Sequence, residues 1–297
     1  MALRRAVMHP SDMGMIGGTY GRLRELPAVA GREGVGEVVA VGEGVSEVSV
    51  GQLVRMPDEP GAWAQAVLAK ADELLHIPSD VPLDQAAQAF VNPPTAFRIL
   101  KDYGDLRPGD WIIQNAANSA VGTSVIQLAK KWGYRTINVV RDASREAMLK
   151  ELGADVVVTE DSGYEKNVKE LTGGEKPKLG LNSIGGESVI RQIRALADGG
   201  TSVTFGGMVG DKVRFPTRNL IFNDVCLCGY WMDLWLRRHS KHDIDAMNEE
   251  VFKLLADGTI EVPVEKVFPF REALEAVAAA NQGGRNGKIL ISSDWTC

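Results

Sequence analysis

The segment at residues 110–141 constrains the possible folds more strongly than any other part of this sequence, because its residue pattern changes three times. Trp111–Gln114 is a short apolar run of the kind found in strands that are buried on both faces. Apolar residues then recur at helical spacing over residues 121–129, and Gly133 follows where that helix would end. Residues 136–140 resemble a second strand. The segment therefore predicts a strand, a tight turn, a helix and another strand.

The predicted turn suits the pyrophosphate of a dinucleotide. Such turns place backbone N–H groups at a helix N-terminus, where the helix dipole favours an anion. Large side chains would block the approach, and the turn carries the small residues Ala117, Ser119, Ala120 and Gly122. Only Gly122 holds a glycine position of the usual G-x-G-x-x-G pattern. An ordinary crossover that binds no ligand therefore stays open as an alternative.

Arg141 ends the second predicted strand, in a position that bears on the choice of nucleotide. NAD sites usually place Asp or Glu about 20 residues beyond the glycines, where the acid binds the ribose 2′-OH. A guanidinium suits a 2′-phosphate instead, by its charge and its bidentate geometry. The sequence therefore favours NADP(H) over NAD(H). Two alternatives stay open: Asp142 as an NAD-type acid displaced by one residue, and Arg141 as a solvated arginine.

Composition excludes several other classes of protein. The 297 residues are enough for two domains, and the net charge of −6 argues against nucleic acid as the main partner. No apolar run is long enough to span a bilayer, and the N-terminal residues contain no secretory signal. We therefore expect no membrane association and no visible targeting segment.

Cysteines and histidines give no metal-binding pattern. Cys226, Cys228 and Cys297 are the three cysteines, which argues against a disulfide framework and for a reducing compartment. Cys226 and Cys228 alternate in an apolar run, so both are predicted to be buried structural thiols. No Cys-x-x-Cys and no H-E-x-x-H occurs, so no metal site is predicted.

The order of patterns along the chain predicts an α/β protein with two domains. Residues 1–90 contain short strand-like runs at 34–42, 50–56 and 62–68, which predict a β-rich domain resembling a partly open barrel. Strands and helices alternate over residues 91–229, which predicts a Rossmann-type, doubly wound parallel sheet. Residues 230–297 are predicted to return to the first domain.

Several motifs resemble a known family. The glycine- and valine-rich stretch PAVAGREGVGEVVAVGEGVSEVSVGQLV (residues 27–54) resembles the hallmark of the medium-chain dehydrogenase/reductase superfamily, in its zinc-free, quinone oxidoreductase-like branch. VNPPTAFRIL, NAANSAVGTSVIQLAK, TINVVRD and FGGM are similar, more narrowly, to the mitochondrial-type trans-2-enoyl-CoA/ACP reductases. HPSDMGMIGGTYG (residues 9–21) resembles the segment that carries the catalytic tyrosine of that family.

The resemblance implies a fold, an activity and a setting. The fold would be a GroES-like catalytic domain beside an NADPH-binding Rossmann domain. The activity would be NADPH-dependent reduction of trans-2-enoyl thioesters of CoA or acyl carrier protein, in fatty acid biosynthesis. A homodimer is expected, in the mitochondrial matrix of a eukaryote or otherwise in the cytoplasm.

The resemblance also assigns roles to individual residues. Tyr20 would be the catalytic proton donor, as its phenol is protonated at neutral pH. The cofactor-binding residues would be Asn92, Asn118, Ser119, Ala120, Val121, Arg141, Asp142, Ala143, Phe205, Gly206, Gly207, Met208, Tyr230, Trp231, Met232 and Lys288.

Simpler roles stay open for four of these residues. Tyr20 could be a loop tyrosine that covers apolar surface, and Trp231 a core or interface tryptophan. Asn92 could serve only as a turn residue at a helix start, and Lys288 as a solvated strand lysine.

One departure from the family concerns the N-terminus. Family members carry several tens of residues before the P-S-D motif, which here begins at Pro10. The sequence therefore leads us to expect that the first strands of the β-rich domain are missing, which would leave unpaired edges. Two alternative functions stay open: a quinone-type NADPH oxidoreductase of the same superfamily, and a non-catalytic NADPH-binding protein.

Overall fold

The computed structural model describes residues 1–209, 212 and 214–293. The chain divides into two compact units. Unit 1 comprises Met1–Val91 and Asn248–Cys297, and unit 2 comprises Asn92–Met247. Cys297, one of the three cysteines, lies outside the described residues.

The helices and strands are numbered in chain order. The first part of unit 1 contains β1 (Ala2–Val7), α1 (Pro10–Ile16), β2 (Gly34–Glu37), β3 (Leu53–Arg55) and α2 (Leu83–Ala86). Unit 2 contains α3 (Asn92–Asp102), β4 (Trp111–Gln114), α4 (Ala120–Trp132), β5 (Arg135–Val140), α5 (Glu146–Leu152), β6 (Val156–Thr159), α6 (Tyr164–Thr172), β7 (Leu179–Asn182), α7 (Gly186–Ala195), β8 (Thr201–Thr204), α8 (Thr217–Phe222), β9 (Cys226–Gly229) and α9 (Met232–Arg238). The chain continues through α10 (Lys241–Ala256), which crosses the boundary between the units, to β10 (Val264–Pro269), α11 (Ala273–Asn281) and β11 (Lys288–Ser292).

Unit 2 is built on a six-stranded sheet in the order β6-β5-β4-β7-β8-β9, in which every pairing is parallel. Strand order reverses between β4 and β7, the position at which open α/β sheets bind ligands. Ile113 belongs to a core cluster with residues of α6 and α7, whereas Ala117 and Val140 pack with residues of α4 and α5. Helices therefore cover both faces, which confirms the predicted α/β class and the doubly wound sheet.

The helix α4 confirms the central prediction from the sequence. Ser119 precedes the helix, and its side chain accepts a hydrogen bond from the backbone N–H of Gly122 at 3.1 Å. Gly133 ends the helix with a φ of 77°, in the left-handed region that glycine tolerates best. Local sequence thus sets both ends of the helix that begins beside the candidate nucleotide turn.

Unit 1 contains a mixed five-stranded sheet in the order β10-β11-β1-β2-β3. β1 pairs antiparallel with both β2 and β11, while β10 and β11 are parallel to each other. Leu3, Ala6, Phe268, Ile289 and Ile291 form the centre of its core. The first and last strands of the chain are therefore neighbours, which joins the two sequence segments of this unit.

Some predicted elements differ from the observed ones. The strand predicted at residues 62–68 is wrong, because in that segment only Ala66 forms a bridge, to Ala2. The indole of Trp63 lies over Gly31 and donates to the carbonyl of Val7 at 3.1 Å, so this side chain contacts residues that are distant in the chain. β1 and α1 were not predicted at all.

The prediction that Cys226 and Cys228 are buried is also wrong. Cys226 is exposed and Cys228 is half-buried. Their strand, β9, pairs only with β8 among the described strands and lies at the end of the sheet order. An apolar run on an edge strand has the same local pattern as one inside a sheet, so the sequence did not distinguish the two.

Leu149 on α5 provides a test of the core that supports the turn before α4. Its side chain is fully buried and packs with Ala117, Ile126 and Val140. We expect Leu149→Ala to lower the free energy of unfolding by about 2–5 kcal/mol, measured by denaturant titration with circular dichroism. Leu274→Ala is the matched control, since Leu274 also lies on a helix but is 83% exposed. Equal losses in the two variants would contradict this packing.

Candidate active site

The turn between β4 and α4 brings the chain into very close contact with itself. A Cβ atom at Gly122 would lie 2.4 Å from the carbonyl oxygen of Ala117, so only glycine fits there. Ala116 has a φ of 47°, which is uncommon for a residue with a side chain. Ser119 precedes the helix, with Ala120 as its first residue. The turn therefore places the start of α4 directly against the end of β4, as a pyrophosphate site requires.

A buried network of polar side chains joins the carboxyl ends of β4 and β7. The amide of Asn115 donates to Asn182 Oδ1 at 2.8 Å and to Ser188 Oγ at 2.9 Å. Asn115 Oδ1 in turn accepts from the backbone N–H of Ser183 at 2.8 Å. Because these amides are buried and paired, they hold the two strand ends at a fixed spacing. Sequence analysis did not identify them, although an Asn directly after a buried strand was a usable signal.

Arg141 and Asp142 lie at the end of β5, and the structure separates their roles. Arg141 is exposed, and no carboxylate among the described residues forms an ion pair with it. Asp142 accepts a hydrogen bond from the backbone N–H of Ser144 at 2.9 Å, which begins a short 3-10 turn that contains Ala143. This hydrogen bond holds the pKa of Asp142 below its usual range. Asp142 thus has a local structural role, whereas Arg141 has its guanidinium available.

The loop after β8 carries four of the predicted cofactor residues. The backbone N–H of Phe205 donates to the carbonyl of Asn182 at 2.9 Å, and that of Met208 donates to Ser183 at 3.1 Å. A Cβ at Gly206 would lie 3.0 Å from the carbonyl of Ser183. Gly207 and Met208 are exposed. The loop therefore lies against the end of β7, close in the sheet to the turn after β4.

Residues 230–247, which the sequence groups with the return to the first domain, pack in unit 2. The phenol oxygen of Tyr230 lies 3.1 Å from the sulfur of Met232, and both side chains are buried. The ring of Tyr230 meets that of Tyr103 edge-on at 6.3 Å. Trp231 is half-buried, with the guanidinium of Arg237 5.0 Å from the ring centroid.

Asn92 is the first residue of α3. Pro93 and Pro94 fit in its first turn, where a backbone N–H has no partner within the helix. The side chain of Asn92 is buried, and its Nδ2 has no hydrogen-bond partner among the described residues. A buried amide without a partner is costly, which favours a bound group as its partner over a purely structural role.

In unit 1, Tyr20 lies in the glycine-rich loop that follows α1. Its backbone N–H donates to the carbonyl of Gly14 at 3.1 Å, and its side chain is half-buried. A Cβ at Gly14 would lie 3.5 Å from the Cβ of Tyr20, so the side chain packs against this helix. The guanidinium of Arg32 donates a hydrogen bond to the phenol oxygen of Tyr20. Sequence analysis gave Arg32 no role, because its partner is not a neighbour in the chain.

A cluster of buried and half-buried charged side chains lies in the same unit. Glu33 Oε2 is 2.5 Å from His9 Nε2, and the other ring nitrogen of His9 is 3.1 Å from Lys288 Nζ. Glu33 Oε1 accepts hydrogen bonds from the backbone N–H groups of Phe90 and Val91, at 2.6 and 2.8 Å. Lys288 is therefore not the solvated strand lysine of the simpler alternative.

Burial shifts the ionisation of two members of this cluster. The pKa of Lys288 is lowered to about 8, chiefly because burial disfavours the ammonium, with Glu33 acting in the opposite direction. Burial also raises the pKa of Asp12, whose Oδ2 accepts from the backbone N–H of His9 at 2.8 Å. Among residues 1–209, 212 and 214–293, no group of three His, Cys, Asp or Glu side chains is arranged to hold a metal ion. No described helix has both the length and the apolar character needed to cross a bilayer.

Two family descriptions match the chain and define its class. "Alcohol dehydrogenase GroES-like domain" matches residues 2–79, and "Zinc-binding dehydrogenase" matches residues 120–252. With the mixed sheet of unit 1 and the doubly wound sheet of unit 2, these matches define a medium-chain dehydrogenase/reductase. The predicted GroES-like and Rossmann-type parts are confirmed.

Individual relatives narrow this class to one family. The mitochondrial enoyl-[acyl-carrier-protein] reductase of Bos taurus is 43% identical over 294 residues, which cover 97% of this chain and 79% of the relative. The human protein of the same name is 41% identical over 294 residues, which again cover 97% of this chain and 79% of the relative. The chain belongs to the enoyl-[acyl-carrier-protein] reductase family.

Solved structures agree with this family. The mitochondrial 2-enoyl thioester reductase Etr1p/Etr2p heterodimer from Candida tropicalis has a TM-score of 0.88 and 28% identity, over 98% of this chain and 89% of that chain. The Etr1p complex with NADP and crotonyl-CoA has a TM-score of 0.88 and 29% identity over the same shares. A putative NADPH:quinone reductase from Bacillus thuringiensis has a TM-score of 0.89 and 26% identity, again over these shares, so the fold alone does not separate the two activities.

Gly122→Ala tests the nucleotide turn. A Cβ 2.4 Å from the Ala117 carbonyl must displace the start of α4, so we expect NADPH affinity to fall by at least about tenfold, or about 1.4 kcal/mol. The measurement is a titration of NADPH fluorescence. Gly42→Ala is the control, because the nearest atom to its Cβ would be Val45 Cγ2, at 3.8 Å. Unchanged NADPH affinity in Gly122→Ala would exclude this turn as the dinucleotide site.

Proposed function

We propose that this protein reduces trans-2-enoyl thioesters of CoA or acyl carrier protein to saturated acyl thioesters, with NADPH as the reductant. The observation that carries the proposal is the phenol of Tyr20, which is held at its oxygen by a guanidinium in a protein with a dinucleotide turn. A hydrogen bond donated to the phenol oxygen does not use the phenol hydrogen, which the proposed reaction transfers to the substrate. Membership of the enoyl-[acyl-carrier-protein] reductase family supports this substrate class.

The reaction requires a hydride and a proton. Bound NADPH supplies the hydride, which the β-carbon of the thioester accepts. Negative charge then develops on the thioester oxygen and the α-carbon. The phenol of Tyr20 stabilises that charge by a hydrogen bond and donates its proton to the α-carbon. A proton from solvent restores the phenol, so each turnover consumes one NADPH and one proton.

Residues of unit 2 are proposed to bind two parts of NADPH, the pyrophosphate and the 2′-phosphate. Asn118, Ser119, Ala120 and Val121 would bind the pyrophosphate at the start of α4, where Gly122 permits the close approach. Arg141, with Asp142 and Ala143 beside it, would bind the 2′-phosphate, and the exposure of its guanidinium supports this role.

The reactive end of the cofactor would be bound by the loops after β8 and β9. The proposed residues are Phe205, Gly206, Gly207, Met208, Tyr230, Trp231 and Met232, together with Asn92 and, in unit 1, Lys288. Asn92 Nδ2, which has no hydrogen-bond partner in the part of the chain that the structure describes, supports a contact with bound ligand. Phe205 and Met208 are held by backbone hydrogen bonds from their loop to the end of β7.

The loop that contains Tyr20 also suits an acyl chain. Three of the large apolar side chains in and beside this loop are exposed: Ile16 at 63%, Leu23 at 49% and Leu26 at 88%. Exposed apolar side chains near a reactive group are typical of a site that binds an apolar ligand.

A homodimer and a compartment are part of the proposal. The edge position of β9 and the two-chain assembly named for the Candida tropicalis relative support dimerisation. The mitochondrial names of the relatives support the matrix as its location in a eukaryote, with the cytoplasm otherwise.

The decisive experiment compares two substrates. Purified protein is given NADPH with a medium-chain trans-2-enoyl-CoA or with a simple quinone, and NADPH consumption is followed by absorbance. Turnover of the enoyl-CoA alone supports the proposal. Turnover of the quinone alone would favour a quinone oxidoreductase, and NADPH binding without either turnover would favour a non-catalytic protein.

Tyr20→Phe tests the proton donor. Removal of the phenol oxygen takes away the acid but leaves the nucleotide turn intact, so we expect turnover to fall by about 10²–10⁴-fold while NADPH affinity is unchanged. Stopped-flow absorbance measures the first, and fluorescence titration the second. Tyr103→Phe is the control, because it removes a phenol oxygen that donates to the carbonyl of Gly229, in unit 2, at 3.4 Å. Full turnover in Tyr20→Phe would remove Tyr20 from the mechanism.

Arg141→Ala tests the preference for NADPH. A charge-assisted contact contributes about 1.5–3 kcal/mol, so we expect the affinity for NADPH to fall by about 10- to 100-fold and that for NADH to change little. Arg135→Ala is the control, since Arg135 is exposed at the opposite end of the same strand, β5. Equal weakening of both nucleotides would contradict a 2′-phosphate contact.

A further inference from the structure

We propose that Arg32 is a positioning residue for the proton donor, which orients the phenol hydrogen of Tyr20 toward the substrate and stabilises the phenolate left after proton transfer. This inference rests on the proposed function, because it assumes that Tyr20 protonates the substrate. It extends that function by naming the residue that makes the phenol an effective acid.

Two contacts join the side chains of Arg32 and Tyr20. Nη1 of Arg32 donates a hydrogen bond to the phenol oxygen, and the guanidinium carbon lies 4.8 Å from the centroid of the phenol ring. A cation over an aromatic ring is attracted by the ring electrons. The guanidinium therefore holds both the ring and its oxygen, which fixes a side chain that otherwise lies in a glycine-rich loop.

The backbone that carries Arg32 is itself firmly anchored. The next residue, Glu33, is fully buried and accepts hydrogen bonds from two backbone N–H groups and lies beside His9. On the other side, Gly31 has a φ of 90° and packs against Trp63. Arg32 is therefore positioned by its neighbours and can position Tyr20 in turn.

The chemistry of a guanidinium sets the direction of this hydrogen bond. Arginine has five N–H donors and no acceptor, so Arg32 can only donate to a lone pair of Tyr20. This contact does not use the phenol hydrogen. In the proposed reaction that hydrogen is first hydrogen-bonded to the thioester oxygen and is then transferred to the α-carbon.

Other charged groups near this pair belong to several elements. They are Arg22 and Arg24 in the same loop, His9 and Asp12 at the start of α1, Glu33 beside β2, and Lys288 on β11. Arg22 lies 3.9 Å from Glu59, and Arg24 lies 3.2 Å from Asp58. The charges of Arg22 and Arg24 are thus paired with carboxylates of another loop. Arg32 interacts electrostatically with Asp12 and also contacts the phenol oxygen of Tyr20 directly.

Proton transfer makes this contact important. The O–H bond of Tyr20 breaks, and a C–H bond forms at the α-carbon of the substrate, which completes the saturated thioester. The electron pair of the broken bond stays on the phenol oxygen, beside the guanidinium, until a proton from solvent replaces the one transferred. A positive charge in contact with that oxygen stabilises the phenolate and lowers the barrier to its formation.

Spectrophotometric titration of the tyrosines tests the contact without any substrate. We expect the phenolate of Tyr20 to form at a pH about one unit higher in Arg32→Gln than in the wild type. Glutamine keeps a hydrogen-bond donor but lacks the positive charge that stabilises the phenolate. Arg32→Lys keeps the charge and should restore most of this shift. Arg22→Gln is the matched control: it removes the same charge from the same loop and should leave the titration unchanged.

The remaining tyrosines do not obscure this measurement. Burial raises the pKa of each of the other four, Tyr103, Tyr134, Tyr164 and Tyr230, so they ionise above the usual range. The titration step that is absent in Tyr20→Phe then belongs to Tyr20. Circular dichroism at each pH verifies that the protein stays folded.

Kinetics complete the test. In Arg32→Gln we expect kcat for enoyl-CoA reduction to fall by about tenfold with KM nearly unchanged, and the loss of activity at alkaline pH to move upward together with the phenol titration. Arg32→Lys should recover most of kcat. A fall in kcat that Arg32→Lys does not recover, with the alkaline limb unmoved, would overturn the proposal and leave Arg32 a structural residue.

The two proposals fail in different ways. An unchanged Tyr20 titration in Arg32→Gln overturns the role of Arg32, even if the wild-type protein reduces enoyl thioesters. If the wild type does not reduce them, the proposed function fails, although a shifted titration would still establish the contact between Arg32 and the phenol.

Discussion

The close approach of the chain to itself at Gly122 is the constraint on which unit 2 depends. A side chain there would collide with the carbonyl of Ala117, so glycine alone allows α4 to begin directly at the end of β4. Ser119 then provides the first acceptor for the helix, and the buried amide of Asn115 ties the same strand end to β7. Each of these contacts leaves the N-terminus of α4 directed at the edge of the sheet where a pyrophosphate would bind.

Unit 1 depends in a similar way on one buried carboxylate, that of Glu33. Glu33 is removed from solvent, and a buried charge is tolerated only when it is paired and hydrogen-bonded. Two backbone N–H groups and His9 meet that need, and His9 contacts Lys288 from the last strand. These contacts fix the segment that carries Arg32, and Arg32 holds the phenol of Tyr20. The loop that contains Tyr20 is thus held in place by a cluster of charged side chains to which Tyr20 itself does not belong.

Sequence patterns predicted the structure correctly where the deciding contacts join near neighbours in the chain. Ser119 and Gly133 mark the ends of α4 because a cap hydrogen bond and a left-handed residue involve only near neighbours in the chain. Patterns failed where the outcome depended on distant partners. The run at residues 62–68 resembles a strand, yet only Ala66 within it forms a bridge. Cys226 is exposed on β9, which pairs only with β8 among the described strands.

The amino-acid sequence was sufficient to predict the alternation of strands and helices, the turn before α4, the arginine at the end of β5 and the family to which the chain belongs. These features follow from periodicity, from backbone sterics and from motifs of adjacent residues. The folded structure was needed to show that Asp142 begins a turn, that Lys288 is partly buried beside His9, and that Arg32 meets Tyr20. Lys288 and His9 are separated by nearly the whole chain, and no local pattern records which distant side chains the fold will bring together.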